Sequence, residues 1–201
     1  VVSPYDLLAV TKAIVLTEQK KAEKVVVFTV GSGEPVVTTL RGGALALGCS
    51  ELVAIDDPAF ARTDSLGIAR GLAAAIKASA DIGLVLCGKQ AVDDDAVQVP
   101  AMIAELLGWP LVSFVSKLEV EGNTFTATRN VGGGVEEIVT GSLPAVVTAD
   151  KGIAEERYAK LPEIMKAKTK PVTAKKLGDL GLTADQVAPA AAVSAYGEPP
   201  P

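Results

Sequence analysis

Gly88-Lys89-Gln90-Ala91-Val92-Asp93-Asp94-Asp95-Ala96-Val97-Gln98-Val99-Pro100 lies between an apolar run over residues 82–87 and a helical pattern over 102–107. Apolar run, loop and helix in that order describe the carboxyl end of a strand in an open parallel sheet, where ligands collect. The backbone N–H groups at a helix start have no partner within the helix and suit an anion. Asp93, Asp94 and Asp95 are good helix-start residues, but they repel a phosphate. A phosphate bound here needs backbone amides and Gln98, with the carboxylates turned away or capping. An ordinary acidic helix N-terminus has the same spacing and needs no ligand.

Working outward, the composition fits that setting. The chain has 201 residues, enough for one domain or a domain with an extension, and at 49% hydrophobic it can bury a sizeable core. Aromatic residues make up only 4%, so the core must be Val, Leu, Ile and Ala, as in helices packed on a parallel sheet. A net charge of −5 without a basic, aromatic-bearing face argues against nucleic acid. No apolar run reaches membrane-spanning length, and there is no signal-peptide pattern. Cys49 and Cys87 stand apart in apolar surroundings with no metal spacing, which implies buried thiols in a reducing compartment. The sequence contains no histidine, which removes Ser-His-Asp and Cys-His catalysis and His-ligated zinc. Catalysis by this chain alone would rest on Asp, Glu, Lys or Tyr, and no pair of them stands out.

Upstream of the loop, Ser3-Pro4-Tyr5-Asp6 reads as a capping box with Ser3 as N-cap, Pro4 at N1 and Asp6 at N3. The helix it opens runs to about residue 20, with Leu7, Val10 and Ile14 on one face. A doubly wound domain usually begins with a strand, so one is expected ahead of this helix. Residues 24–30 and 51–55 read as buried strands, and 63–80 as a helix with Leu66, Ala69, Leu72, Ala73 and Ile76 as its stripe. Between them Gly31-Ser32-Gly33 opens a helical stretch to about residue 47. That turn matches neither GxxxxGK[ST] nor GxGxxG, nor a pyrophosphatase SGGxDS loop, and reads equally as a tight strand-to-helix turn.

Downstream, Gly108 with Pro110 ends the helix. Residues 111–120 and 124–129 read as a hairpin about Gly122-Asn123, 135–139 as a short strand after Gly132-Gly133-Gly134, and 143–148 as a further strand. Alternating strands and helices followed by hairpins predict an α/β fold: a Rossmann-like, doubly wound, mostly parallel sheet with an antiparallel extension. Beyond residue 149 core signals fade. An amphipathic pattern with Leu161, Ile164 and Met165 sits among charges. Residues 166–176 hold five lysines and no acid, a run that is usually a solvated face. The Ala- and Pro-rich stretch 188–201 reads as an extended arm lying along a partner subunit.

Taken together these stretches closely resemble the β subunit of electron-transfer flavoprotein. Ser3-Pro4-Tyr5-Asp6 is similar to that family's NPF-type helix start. Gly88 to Asp95 resembles its GKQAIDDD loop, and Leu143-Pro144-Ala145-Val146-Val147-Thr148-Ala149-Asp150 its LPAVVTAD. Arg157 to Lys168 resembles its RYATLPNIMKAK segment, and Gly178-Asp179-Leu180-Gly181 its late GDLG. The matches are long, in order, and run from Ser3 into the C-terminal stretch.

The resemblance implies a heterodimer whose α subunit carries most of an FAD site. The flavin takes electrons from dehydrogenases such as acyl-CoA dehydrogenases and passes them to a downstream quinone oxidoreductase. The subunit would be a carrier without catalytic residues of its own, in a bacterial cytoplasm or a mitochondrial matrix. It also implies a structural AMP in this chain. Its contacts would come from Ser3, Pro4, Tyr5 and Asp6; from Val30 and Gly31; from Asp93, Asp94, Asp95, Ala96, Val97 and Gln98; and from Val99, Pro100, Ala101, Met102, Ile103 and Ala104. Residues 1–150 would form the nucleotide-binding domain and 151–201 the partner-recognition segment and arm. Within the latter, Leu161, Pro162, Ile164, Met165 and Lys166 would grip the dehydrogenase. Pro162 fits N1 of a short helix, which sets Leu161 at the entry with its side chain projecting and Ile164 and Met165 facing inward. On pattern alone Leu161 could instead staple its own helix.

Three features depart from the family. Its leading strand and hairpin are expected before Val1 and normally complete the nucleotide pocket. Asn130 and Gly132 stand where the family carries acids, one of which pairs with an α-subunit arginine. Bifurcating relatives bind a second FAD in place of AMP and carry Gly within the acidic triplet; Asp93-Asp94-Asp95 has none, which favours AMP. The competing functions are a stand-alone nucleotide-binding module, such as a stress-type ATP sensor, and an ATP-cleaving enzyme, which lacks its phosphate motifs here.

Overall fold

The computed structural model describes residues 2–31, 33–190 and Gly197. The arm expected over 188–201 lies outside the described residues from 191 onward, Gly197 excepted. The elements follow as α1 Pro4–Glu18, β1 Val26–Val30, α2 Glu34–Leu40, β2 Glu51–Ile55, α3 Ser65–Lys77, β3 Leu84–Gly88, α4 Val99–Leu107, β4 Leu111–Glu121, β5 Thr124–Asn130, β6 Glu136–Ser142, β7 Ala145–Ala149, α5 Leu161–Ala167, β8 Val172–Lys175 and α6 Ala184–Val187. The α2 helix continues as a π turn over Arg41–Leu45. Local chemistry sets the stops: Gly108 adopts φ 70 after α4, and Gly122 adopts φ 58 between β4 and β5, where a side chain would be strained.

Among the described residues the strands form two sheets. The order is β1-β2-β8 in one and β3-β7-β4-β5-β6 in the other. The first is parallel throughout. In the second, β3, β7 and β4 run parallel, and β4, β5 and β6 form the antiparallel extension. This is the doubly wound, mostly parallel architecture that the sequence predicts. Period-two alternation wraps it in helices on both faces. Ala145, Val147 and Ala149 of β7 pack toward Leu8, Ala9 and Leu16 of α1. Val146 packs the other way, toward α3 and α4, with Ala69, Ile76 and Ile103. Residues of β1 divide likewise: Val27 joins Ile14 and Phe28 joins Ala69. Such burial is the main stabilising term in folding, about 25 cal/mol per Å² of apolar surface.

Four expectations are corrected here. The stripe of α1 is not Leu7, Val10 and Ile14 alone; Leu8, Ala9, Thr11, Ile14 and Leu16 are buried, because the helix serves two apolar clusters and is covered over a wide arc. The capping box at Ser3 does not form, since both side chains bond elsewhere. The chain also returns to the core after residue 149: β8 pairs with β2, Leu52 opposite Val172. Finally, the lysine-rich run is not wholly solvated, because Lys170 Nζ donates to Leu45 O at 2.8 Å and Cys49 O at 2.7 Å. No helix among the described residues is long and apolar enough to cross a membrane.

Candidate functional site

The carboxyl ends of β3 and β7 meet the start of α1. Gly88 N donates to Asp6 Oδ1 at 2.7 Å, and Ser3 Oγ donates to Gln90 O at 3.3 Å. A Cβ at Gly88 would lie 2.8 Å from Asp6 N and 2.9 Å from Tyr5 Cβ, so only glycine lets the helix start sit this close. Asp6 keeps exposed surface, but its carboxyl is turned onto Gly88. Desolvation raises its pKa, and the Gly88 bond pulls it back in part. Burial, with the nearby Asp6 charge, pushes the Cys87 thiol up to about 12. Cys49 is buried and pushed to about 11 by desolvation. Both are free thiols held in the neutral, unreactive form, as their apolar flanks imply.

Lys89 follows β3 and Asp150 follows β7. Their Nζ–Oδ1 distance is 2.9 Å. The ammonium lies 4.7 Å from the centroid of the Tyr5 ring and 5.8 Å from that of Phe114. Desolvation works against its charge, but the hydrogen bond and charge of Asp150, with Tyr5 adding, hold the Lys89 pKa above its ordinary value. Phe114 sits where the β4 register shifts, between Val112 and Val115, with φ 60, and its N–H donates to Thr148 Oγ1 at 2.9 Å. No local pattern flags this cluster, because its four members come from four elements.

In the loop itself the aspartates satisfy one another's neighbourhood. Asp93 Oδ1 accepts from Asp94 N at 3.1 Å, Asp94 Oδ1 from Ala96 N at 3.0 Å, and Asp95 Oδ1 from Gln90 Nε2 at 2.6 Å. They are therefore not helix caps. The helix begins at Val99, and Gln98 at its N-cap makes no side-chain cap bond. Asp95 and Val97 adopt φ 49 and φ 57, a strained conformation for a β-branched valine. Among the residues expected to contact AMP, Ser3 is joined to Gln90 and Asp6 to Gly88. Pro100 takes the second position of α4, with Ile103 and Ala104 buried and Ala101 and Met102 nearer the surface. Val30 and Gly31 stand at the carboxyl end of β1, and Gly31 N donates to Ile55 O at 3.1 Å. The first turn of α4, with its amides uncapped by a side chain, fits an anionic group such as a phosphate.

On the extension, Asn130 Oδ1 accepts from Gly132 N at 2.8 Å and closes the turn there. Arg129 pairs with Glu137 at 3.6 Å.

The second candidate surface is α5. Leu161 is its first residue and Pro162 its second, with Lys160 as N-cap, one position earlier than the sequence predicts. Leu161 is 72% exposed and does not staple the helix. Ile164 packs inward with Ala167 and Leu45. Met165 does not face inward: it is 54% exposed, four residues from Leu161 on the same outward face. Tyr158, at 82% exposed, adds a third large side chain, and Lys166 is exposed beside them. Among the described residues no cluster of three or more His, Cys, Asp or Glu is placed to hold a metal.

Comparison with known proteins adds to this geometry. The family model described as "Electron transfer flavoprotein domain" matches residues 1–180. The chain is 41% identical over 180 residues to the electron transfer flavoprotein subunit beta of Bradyrhizobium diazoefficiens, covering 90% of this chain and 70% of that one. It is 39% identical over 190 residues to the subunit of the same name from Bacillus subtilis, covering 94% and 72%. The mitochondrial subunit beta of Arabidopsis thaliana is 38% identical over 183 residues, with 89% and 69% covered.

Proposed function

The chain belongs to the electron transfer flavoprotein family as a β subunit, and on that premise we propose that it holds a structural AMP, pairs with an α subunit that carries most of the FAD, and docks flavin dehydrogenases. FAD held there supplies the redox chemistry. This chain's own residues bind and orient. Backbone amides at the start of α4 would receive the AMP phosphate. Ser3 to Asp6 and the 93–98 loop would form its wall, with Val30 and Gly31 closing the far side. Tyr158, Leu161 and Met165 would enter an apolar pocket on the dehydrogenase while Lys160 and Lys166 steer the approach. Residues 1–150 would carry the nucleotide and 151–201 the partner contacts, although β8 of the second part pairs within the first part's sheet. The electrons would pass from acyl-CoA dehydrogenases to a quinone oxidoreductase, in a bacterial cytoplasm or a mitochondrial matrix.

The observation that carries this reading is the bare apolar row on and just ahead of α5, whose large side chains stay exposed while the opposite face of the helix is buried. The test is to co-express the chain with an α subunit, purify the pair and follow flavin reduction by an acyl-CoA dehydrogenase with its substrate. Reduction in a stable heterodimer supports the reading. A chain that purifies alone with bound nucleotide and yields no reducible pair points to the stand-alone sensor.

A further inference from the structure

The row Tyr158, Leu161 and Met165 has little to hold it from within. Its helix is seven residues long, and its carbonyl ends need donors from outside. The structure supplies such donors downstream and a separate side-chain anchor upstream.

Upstream, Arg157 grips Glu18, the last residue of α1, with both prongs: Nη1 to Oε1 at 2.7 Å and Nη2 to Oε2 at 2.9 Å. That bond, ahead of the pair's charge, lowers the Glu18 pKa and raises that of Arg157. A two-pronged guanidinium–carboxylate bond defines orientation as well as distance. Both partners are partly exposed, so the pair contributes little to stability; geometry is what it can offer.

Downstream, two cations cap each other's helices. Arg41, in the π turn after α2, donates from Nη1 to Ala167 O at 2.8 Å, Lys168 O at 2.6 Å and Lys170 O at 3.3 Å. Lys170, just beyond α5, donates back to Leu45 O in the last turn of that helix and to Cys49 O past it. Each positive charge sits at a carbonyl end, where the helix dipole favours it.

We propose that residues 157–170 form a strap pinned at both ends, and that Glu18, Arg157, Arg41 and Lys170 are positioning residues that set how Tyr158, Leu161 and Met165 meet a partner. This rests on the docking reading above. None of the four touches the partner in that reading. They act by removing the ordering cost that a loose strap would add on binding.

The test uses the whole heterodimer as substrate of a dehydrogenase. Glu18→Gln and Arg157→Met each raise KM for the heterodimer roughly tenfold and leave kcat and flavin content unchanged, the scale expected when a short segment must be ordered on binding. The opposite charge changes separate pinning from steering. If these residues only steer by charge, the two variants shift KM in opposite directions; if they pin, both raise it. The swapped double variant, Glu18→Arg with Arg157→Glu, recovers most of the lost affinity. Lys170→Met gives a similar KM rise from the other end, and its melting curve shows whether the capping loss is also felt by the fold. Unchanged KM in both upstream variants, beside a Leu161→Ala variant that does raise it, overturns the strap and leaves docking standing. Unchanged KM in Leu161→Ala as well removes the docking reading, and the strap falls with it.

Discussion

The carboxyl ends of β3 and β7 and the outward face of α5 treat their side chains in opposite ways. At the strand ends, polar groups far apart in sequence are consumed by one another: Asp6 by Gly88, Ser3 by Gln90, Lys89 by Asp150. On α5 the large apolar groups are left bare while the charged groups around them do the anchoring. The first arrangement makes a rigid wall and suits a small molecule that must be held in one pose. The second leaves apolar surface exposed within a segment held at both ends and suits a protein surface met transiently. The same chain thus carries a face whose polar groups are satisfied within the fold and a face whose large apolar groups are left uncovered.

The sharpest way to break the wall is Gly88→Val. Its Cβ would meet Asp6 N at 2.8 Å and Tyr5 Cβ at 2.9 Å, both on the rigid start of α1. The helix must then leave β3, at a cost of about 3 kcal/mol or more. A thermal melt should show a large fall in Tm or loss of soluble protein. Gly83→Ala serves as control, since no atom lies within 4 Å of its Cβ position, and it should melt like the parent.

The wall's ligand is tested next. Denatured heterodimer should release AMP and FAD in roughly equal amounts. Adding AMP to nucleotide-stripped protein should raise Tm, by the equivalent of about 2.7 kcal/mol at a hundredfold excess over Kd. Two FAD and no AMP would assign the chain to the bifurcating type instead.

On the bare face, Leu161→Ala removes an anchor that makes little contact with its own fold. The expected loss is about 2 kcal/mol of dehydrogenase affinity, roughly thirty-fold, with the melting curve and nucleotide content unchanged. Lower thermal stability with normal flavin reduction would reverse the comparison and make α5 a structural helix.

The smallest effect concerns pH at the wall. Because the folded state raises the Asp6 pKa above 3.8, it binds that proton more tightly than the unfolded chain does. Asp6 therefore favours the fold below its ordinary pKa, and that contribution is lost as pH rises through the raised value. Asp6→Asn keeps an Oδ1 acceptor for Gly88 N without the charge. Melts from about pH 4 to 8 should show a shallower decline for the variant and no lower Tm at neutral pH. A steeper decline would mean that the ionised carboxylate supports the helix contact.

Much of this comparison was legible beforehand, and the part that was not has a common cause. The β1, β2, β3 and β7 strands announce themselves as β-branched or apolar runs between turn residues. Gly108 and Gly122 mark the end of α4 and the β4–β5 turn in the same way. The 88–98 loop is legible from its place between strand and helix, and the exposure of Leu161 follows from the resemblance. Yet β8 is only four residues beside lysines, and nothing local distinguishes it from a solvated run; it is a strand because β2 offers an edge. The outward face of Met165 is not legible locally, because a helix of seven residues has too few turns for its pattern to tell inward from outward.

The sequence by itself determined the order of strands and helices as far as β7, the antiparallel extension and the position of the loop after β3, because each follows from sterics and apolar periodicity within a few residues. Tertiary structure alone decided which partners the polar side chains take. Ser3 and Asp6 have the spacing of a capping box, but α1 packs against β3, whose last residue offers Gly88 N and whose following loop offers Gln90 O. Lys170 reads as one more surface lysine until the end of the α2 helix presents two carbonyls to it. A hydrogen bond depends on a few ångströms of final geometry, and groups 82 to 125 residues apart acquire that geometry only when the sheets and helices close around one core.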